Sequence, residues 1–123
     1  MKIGDSFIST QEVTNSTTAS CLGSGNLSVF ATPSMIALME NASMMAVKES
    51  LMEGTTTVGS AINVKHTRPT PLNTMVSAQA ILTMIEGKKL TFALRAWDNK
   101  GDIGVGEHVR YVVDSKTFME GLT

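Results

Sequence analysis

The stretch TPSMIALMENASMMAVKESLMEG, residues 32–54, decides the fold because it is the one strong helix pattern in the chain. Thr32 is predicted to cap this helix, Pro33 suits its first position and Gly54 suits its end. A helix that is apolar nearly all round is predicted to be buried on most sides. The apolar stripe comprises Met35, Leu38, Met39, Ala42, Met45 and Ala46, and the other faces carry Ile36, Ala37, Met44 and Val47.

Short strands joined by tight turns surround this helix in the sequence. A first strand, SFISTQEV (6–13), is followed by a polar segment (14–28) that is predicted to be a long loop. Later strands joined by the turns EGKK and NKGD indicate an antiparallel meander. These strands are predicted at 58–66, 73–85, 90–98 and 103–114. We therefore expect one α+β domain over residues 1–123, an antiparallel sheet of about five strands wrapped around one long central helix.

The net charge, the cysteine count and the length of the apolar runs limit which partners and compartments we expect for the protein. The 123 residues carry a formal net charge of −1, which argues against a nucleic-acid-binding protein. One cysteine, Cys21, excludes an intramolecular disulfide and fits a reducing compartment. No apolar run approaches the roughly 18 residues that would span a bilayer. We expect a cytoplasmic protein without a membrane partner, and a homodimer or higher oligomer, because a buried helix needs more cover than one small sheet supplies.

Glu40 is the sharpest candidate for chemistry, since it is the only ionisable residue between Met35 and Val47. A buried carboxylate is costly without a partner. The interpretation favoured by the sequence is a catalytic pair of Glu40 with His66. A glutamate that reaches the rim of the core explains the same pattern. Three cations are alternative partners for the Glu40 carboxylate: Lys48, Lys65 and Arg68.

His66 shares one strand face with Ile62 and Val64, which predicts that its ring points toward the helix. A histidine satisfied within the core is the alternative to a catalytic one. By the same alternation, Gly59 falls on the opposite face. His108 alternates onto a face with Arg110 and is expected at the surface or an interface instead of in a catalytic site.

Thr32 could serve the site as well as the helix end, because a helix N-terminus offers backbone N–H groups to a developing oxyanion. Thr32 and Glu40 are separated by eight positions, about 12 Å of helical rise. Their side chains are therefore not expected to bond directly. If both serve one substrate, they come from opposite subunits or from opposite ends of a pocket.

Four segments together resemble the hotdog-fold thioesterases, and especially the fluoroacetyl-CoA thioesterase family. They are VFATPSMIALME (29–40), VGSAINVKHTRPTP (58–71), IEGKKLTFALRAWD (85–98) and DIGVGEHVRYVV (102–113). By this resemblance the family's catalytic threonine, glutamate and histidine fall on Thr32, Glu40 and His66, and its strand glycine near the thioester falls on Gly59. The resemblance implies a homodimer, a site at the subunit interface, acyl-CoA substrates and no metal or redox cofactor.

The leading hypothesis is hydrolysis of a short or medium acyl-CoA, with Glu40 as nucleophile or general base and His66 moving protons. One alternative is an enoyl-CoA hydratase or dehydratase, which the 26 positions between Glu40 and His66 disfavour. The other is a non-catalytic acyl- or CoA-binding module. The fluoroacetate-specific family member has lid phenylalanines, whereas STTASCLGSGNLS (16–28) has none. We therefore expect no strong preference for fluoroacetyl-CoA and acceptance of larger acyl groups.

Overall fold

The computed structural model describes residues 1–123 and has a five-stranded antiparallel sheet packed against one long helix. This confirms the expected α+β architecture. The strands lie in the order β1-β3-β4-β5-β2. The elements in chain order are β1 (Ser6–Glu12), α1 (Ala19–Leu22), α2 (Thr32–Val47), β2 (Thr55–His66), β3 (Met75–Glu86), β4 (Lys89–Asp98), β5 (Gly101–Asp114) and α3 (Ser115–Glu120). None of the helices is both long enough and apolar enough to cross a membrane.

The second half of the sheet is the predicted meander of β3, β4 and β5. Gly87 (φ 63°) and Gly101 (φ 128°) adopt the positive φ values that the two tight reversals require. β2 pairs with β5 alone and β1 pairs with β3 alone. The sheet therefore ends in two edge strands, one of which is the strand that carries His66.

Helix α2 lies across the sheet and is covered on one side only. Its buried residues are Ser34, Met35, Leu38, Met39, Ala42, Ser43 and Val47. On the other side Ala37 and Asn41 are exposed, and Ile36, Glu40 and Met44 are half-buried. The expectation of a helix buried on most sides is thus not met within one chain, because a single sheet can cover only one face.

The helix also ends earlier than the sequence predicted. It stops at Val47 and passes through a short 3₁₀ turn at Lys48–Ser50. Gly54, the expected helix end, instead lies in the turn that enters β2, with φ 84°. The residues beyond Val47 bury little surface: Lys48, Glu49 and Ser50 are exposed, and Met52 is 81% exposed.

Residues 14–28 are more ordered than a simple loop. A 3₁₀ turn at Asn15–Thr17 leads into α1, whose first turn is capped by the Thr18 side chain accepting from the Cys21 N–H. The segment is tied down where Ala31 N–H donates to the Thr17 carbonyl at 2.9 Å. The expected long loop is therefore corrected to two short helical turns, although Leu27 remains largely exposed.

A β-bulge in β2 decides which residues face α2. The register with β5 shifts between Gly59 and Ala61, so Ser60 is an extra residue in the strand. The prediction for His66 holds, since it lies on the inner face. The prediction for Gly59 is wrong, because the bulge reverses the alternation and turns Gly59 toward α2 as well.

Asp98, at the end of β4, anchors the segment that follows β2. Its buried carboxylate accepts hydrogen bonds from Arg68 Nη2, from Thr70 Oγ1 at 2.7 Å and from the Lys100 N–H at 2.8 Å. Burial alone would raise the pKa of Asp98, but the bonds from Thr70, Arg68 and Lys100 outweigh it and lower that pKa. The anchor fixes the chain two residues beyond His66.

Asp98→Asn is expected to lower the free energy of unfolding by about 3 kcal/mol at neutral pH, because it leaves Arg68 without its buried partner. The folded pKa of Asp98 is lowered, so its stabilisation is present above the unfolded pKa of about 3.9 and is lost as pH falls through the folded pKa. Urea unfolding at several pH values measures this.

The control is Asp102→Asn, which removes the exposed pair of Asp102 with Arg95 Nε at 2.8 Å. Such pairs contribute about 0–1 kcal/mol. Equal losses in the two variants would contradict the anchoring role of Asp98.

Candidate active site

Thr32 and His66 meet at the start of α2. The Thr32 Oγ1 atom lies 2.8 Å from His66 Nδ1. The helix cap is Ala31, whose side chain makes no cap bond, so the expected capping role of Thr32 is wrong. Thr32 is already inside the first helical turn, and its hydroxyl is therefore available to the imidazole.

The other ring nitrogen of His66 has no partner. Nε2 is buried and makes no hydrogen bond within the chain. Burial lowers the pKa of His66, and a backbone interaction with Arg68 opposes that shift. The ring is consequently neutral at pH 7, and a buried nitrogen without a partner is a position at which a ligand could be bound or a proton moved.

A solvent-open cleft of about 260 Å³ adjoins this pair. Phe30 and Pro69 contribute apolar surface to its wall, and Thr32, His66 and Arg68 contribute polar groups. The cleft lies between the start of α2 and the end of β2. It therefore gives a small molecule a route to the Thr32–His66 pair.

Glu40 lies two turns further along α2, and its ionic neighbour is Arg110. The distance from Glu40 Oε2 to Arg110 Nη1 is 3.7 Å, and the Glu40 side chain is 42% exposed. The expected pair of Glu40 with His66 does not form within the chain, and neither do the alternatives with Lys48, Lys65 or Arg68. The sequence missed Arg110 because 70 positions separate it from Glu40.

Arg110 and His108 occupy the inner face of β5. Arg110 Nε donates to Thr57 Oγ1 at 2.8 Å, Nη2 donates to the Thr57 carbonyl at 2.8 Å, and Nη1 lies 3.2 Å from His108 Nε2. His108 is only 2% exposed, so of the two expected positions the surface is wrong, and the interface stays a prediction. The alternation of β5 had placed both residues on one face; the burial of that face was the missing information.

Gly59 faces the cluster formed by Glu40, His108 and Arg110. A β-carbon at Gly59 would lie 3.0 Å from Glu40 Oε2, 3.2 Å from the His108 ring and 3.3 Å from Arg110 Nη1. The nearest of these atoms, Glu40 Oε2, is the end of a flexible side chain. Glycine at this position therefore leaves room for the carboxylate and the guanidinium together.

Gly59→Ala is expected to lower turnover about 10- to 100-fold, because displacing a reacting group by a fraction of an ångström to 1 Å has effects of that order. The midpoint of thermal unfolding should change little, since the nearest atom, Glu40 Oε2, is the end of a side chain that is 42% exposed and free to move. The control is Ser60→Ala, at the exposed bulge next to Gly59. Loss of the fold in Gly59→Ala with wild-type turnover in its folded fraction would contradict this assignment.

Comparison with known proteins shows which family the chain resembles. The profile of the fluoroacetyl-CoA-specific thioesterase family matches residues 13–116, most of the chain. The chain belongs to this family. A curated family relative, the fluoroacetyl-CoA thioesterase of Streptantibioticus cattleyicolor, is 39% identical over 90 residues. The match covers 73% of this chain and 65% of the relative, so just under two thirds of that relative's length is aligned.

Solved structures agree with the family assignment. A crystal structure of a variant of the fluoroacetyl-CoA-specific thioesterase FlK with fluoroacetate and CoA has a TM-score of 0.90 at 33% identity, covering 96% of this chain and 99% of that one. A thioesterase superfamily member from Thermus thermophilus has a TM-score of 0.91 at 23% identity, covering 98% and 90%. The second likeness concerns the fold alone. The expected hotdog thioesterase fold is confirmed.

Proposed function

We propose that this protein hydrolyses acyl-CoA thioesters to a free acid and CoA. The observation that carries the proposal is the Thr32–His66 pair, whose buried Nε2 lacks a partner beside an open cleft. Membership of the fluoroacetyl-CoA-specific thioesterase family supports it. Thr32, Glu40 and His66 are the proposed catalytic residues, and Gly59 lies beside the thioester.

In this mechanism Glu40 either attacks the acyl carbonyl carbon and forms an anhydride that water then hydrolyses, or removes a proton from the water that attacks that carbon. The C–S bond breaks in either case. The proton lost by the water passes through the neutral His66 ring to the CoA sulfur, so the products are the free acid and the CoA thiol. Thr32 holds the His66 ring through Nδ1. No metal or redox cofactor has a role, and CoA is part of the substrate.

We further propose a homodimer or higher oligomer with acyl-CoA at the subunit interface. Two features support it: β2 is an edge strand, and the side of α2 with Ala37 and Asn41 has no cover. Glu40 and His66 of one chain do not pair, so a site shared between subunits would unite them. Light scattering that finds only monomer at micromolar concentration would count against the dimer. A cytoplasmic location, favoured by the single exposed Cys21, stays a prediction.

The test is thiol release from fluoroacetyl-, acetyl-, butyryl- and phenylacetyl-CoA by one preparation. We expect release from several of them, with no large selectivity for fluoroacetyl beyond fluorine's own activation of the carbonyl. Leu22 and Leu27 are the only sizeable apolar groups of segment 14–28 and both are exposed, so little area is available to close a dry pocket. Small differences in an apolar pocket are worth about 1–3 kcal/mol.

Three results would contradict these statements separately. A several-thousand-fold preference for fluoroacetyl-CoA would refute the selectivity argument and leave the reaction intact. An absorbance change with crotonyl-CoA and no thiol release would indicate a hydratase. Saturable CoA binding with no product after long incubation would indicate a binding module.

A further inference from the structure

The inner face of β5 holds a buried histidine that the mechanism above does not use. His108 Nδ1 lies 2.7 Å from the Ala61 carbonyl oxygen. A carbonyl only accepts hydrogen bonds, so Nδ1 carries the proton. In a neutral ring Nε2 is then an acceptor, and it faces Arg110 Nη1 at 3.2 Å. The two contacts together select one tautomer of a neutral imidazole.

Arg110 is held through all three of its nitrogens. Thr57 accepts from Nε through its side chain and from Nη2 through its carbonyl. The remaining nitrogen, Nη1, is shared between His108 Nε2 and Glu40 Oε2, at 3.2 and 3.7 Å. His108 therefore contacts the one guanidinium nitrogen that faces the proposed catalytic carboxylate.

We propose that His108 is a positioning residue: its neutral ring fixes Arg110 Nη1, and Arg110 in turn holds the Glu40 carboxylate for the reaction. The inference rests on the proposed thioester hydrolysis. His108 acts through Arg110 and has no contact with the substrate. The charged groups that face the ring are Arg110 on its own strand and Glu40 from α2, while β4 presents the Phe92 ring.

Protonation of His108 would disable this arrangement. It converts Nε2 from an acceptor into a donor and sets two cations side by side. Burial lowers the pKa of His108; the Ala61 backbone bond opposes this, Arg110 lowers the pKa further and Glu40 raises it. The net lowering keeps the ring neutral at pH 7, in agreement with the geometry.

Two amide substitutions separate the contacts of the ring. The Asn side-chain nitrogen in His108→Asn reaches the place of Nδ1 and can still donate to Ala61, but nothing occupies the place of Nε2. The amide of His108→Gln reaches the place of Nε2 and can accept from Arg110. We expect kcat to fall about 10- to 100-fold in His108→Asn with KM within about threefold of wild type, the usual effect of a lost bond to a charged group. His108→Gln should recover most of kcat.

The pH profile gives a readout that a merely structural histidine would not change. In wild type, protonation of His108 stops turnover in addition to protonation of the catalytic groups, so it should add about one to the limiting slope of log kcat against pH at low pH. In His108→Gln this contribution is absent, and the slope should be smaller by about one. Long-range ¹H–¹⁵N NMR of the wild-type protein should find the His108 proton on Nδ1, whether or not the protein is active.

Thr57→Val removes the acceptor for Arg110 Nε and carries the test if His108→Asn does not fold. Its kcat should fall about tenfold, and with His108→Asn the two losses should combine less than multiplicatively, because both act through Arg110. Wild-type kcat in either variant, an unchanged slope in His108→Gln, or an Nε2-protonated His108 would overturn the positioning role alone. No thiol release by the wild-type protein from any acyl-CoA would overturn the thioesterase function itself.

Discussion

Glu40→Gln is expected to reduce the rate of CoA release by about 10³-fold or more, one of the two largest effects expected for this protein. The amide is nearly isosteric with the carboxylate, but it can neither attack a carbonyl nor take a proton from water. The fold should persist, because the Glu40 side chain is 42% exposed and its contact with Arg110 is 3.7 Å long. Steady-state thiol release together with urea unfolding measures both quantities.

The matched control is Glu49→Gln, which removes an exposed carboxylate just beyond the end of α2. This variant should keep wild-type turnover. If Glu40→Gln or Glu40→Ala released CoA at the wild-type rate, the assignment of Glu40 as nucleophile or base would be wrong. The contacts of Arg110 with Glu40 and His108 would then need an explanation other than catalysis.

His66→Asn is expected to lower turnover by about 10²–10⁴-fold, the usual effect of removing a general acid–base group. Its side-chain amide occupies the place of Nδ1 and can still meet the Thr32 hydroxyl, but the group at the place of Nε2 is gone. Stability should change little, since Nε2 makes no bond within the chain. The variant therefore separates chemistry from packing.

The expected pH dependence of thioester hydrolysis by the wild-type protein follows from the same residue. Neutral His66 is the form that can accept a proton, so activity is lost as pH falls through its pKa. Burial lowers that pKa, which places the loss below the ordinary histidine value of about 6.5. A large loss of stability in His66→Asn, with activity lost only in proportion, would support a core histidine instead.

Much of the fold could be predicted because it depends on local pattern. The α2 stripe, the inner position of His66 and the meander with its glycine turns all follow from periodicity and turn chemistry. The alternation failed at Gly59, since the bulged residue Ser60 places Gly59 on the same face as Ile62 and His66 instead of the opposite one. A single sequence carries no signal for that extra residue.

The site was predictable in its residue types and not in its pairings. The family resemblance selected Thr32, Glu40 and His66, and the structure brings Thr32 and His66 together. It gives Glu40 a different partner, Arg110. Arg110 lies in β5, which is far from α2 in the sequence but pairs with β2 in the folded sheet. Pairings between distant strands depend on sheet order, which spacing along the chain does not reveal.

The sheet order also has a consequence for the synthesis and folding of the protein. β2 ends at His66, but its only partner strand within the chain begins at Gly101. During synthesis β2 therefore remains unpaired while β3 and β4 are translated. During that interval its backbone donors and acceptors are open to aggregation. The contacts of Arg110 with Thr57 and Glu40 can form only after β5 emerges, and such long-range contacts are slow to close. Catalytic competence should therefore arrive with the final strand, and no half-made intermediate should turn over substrate.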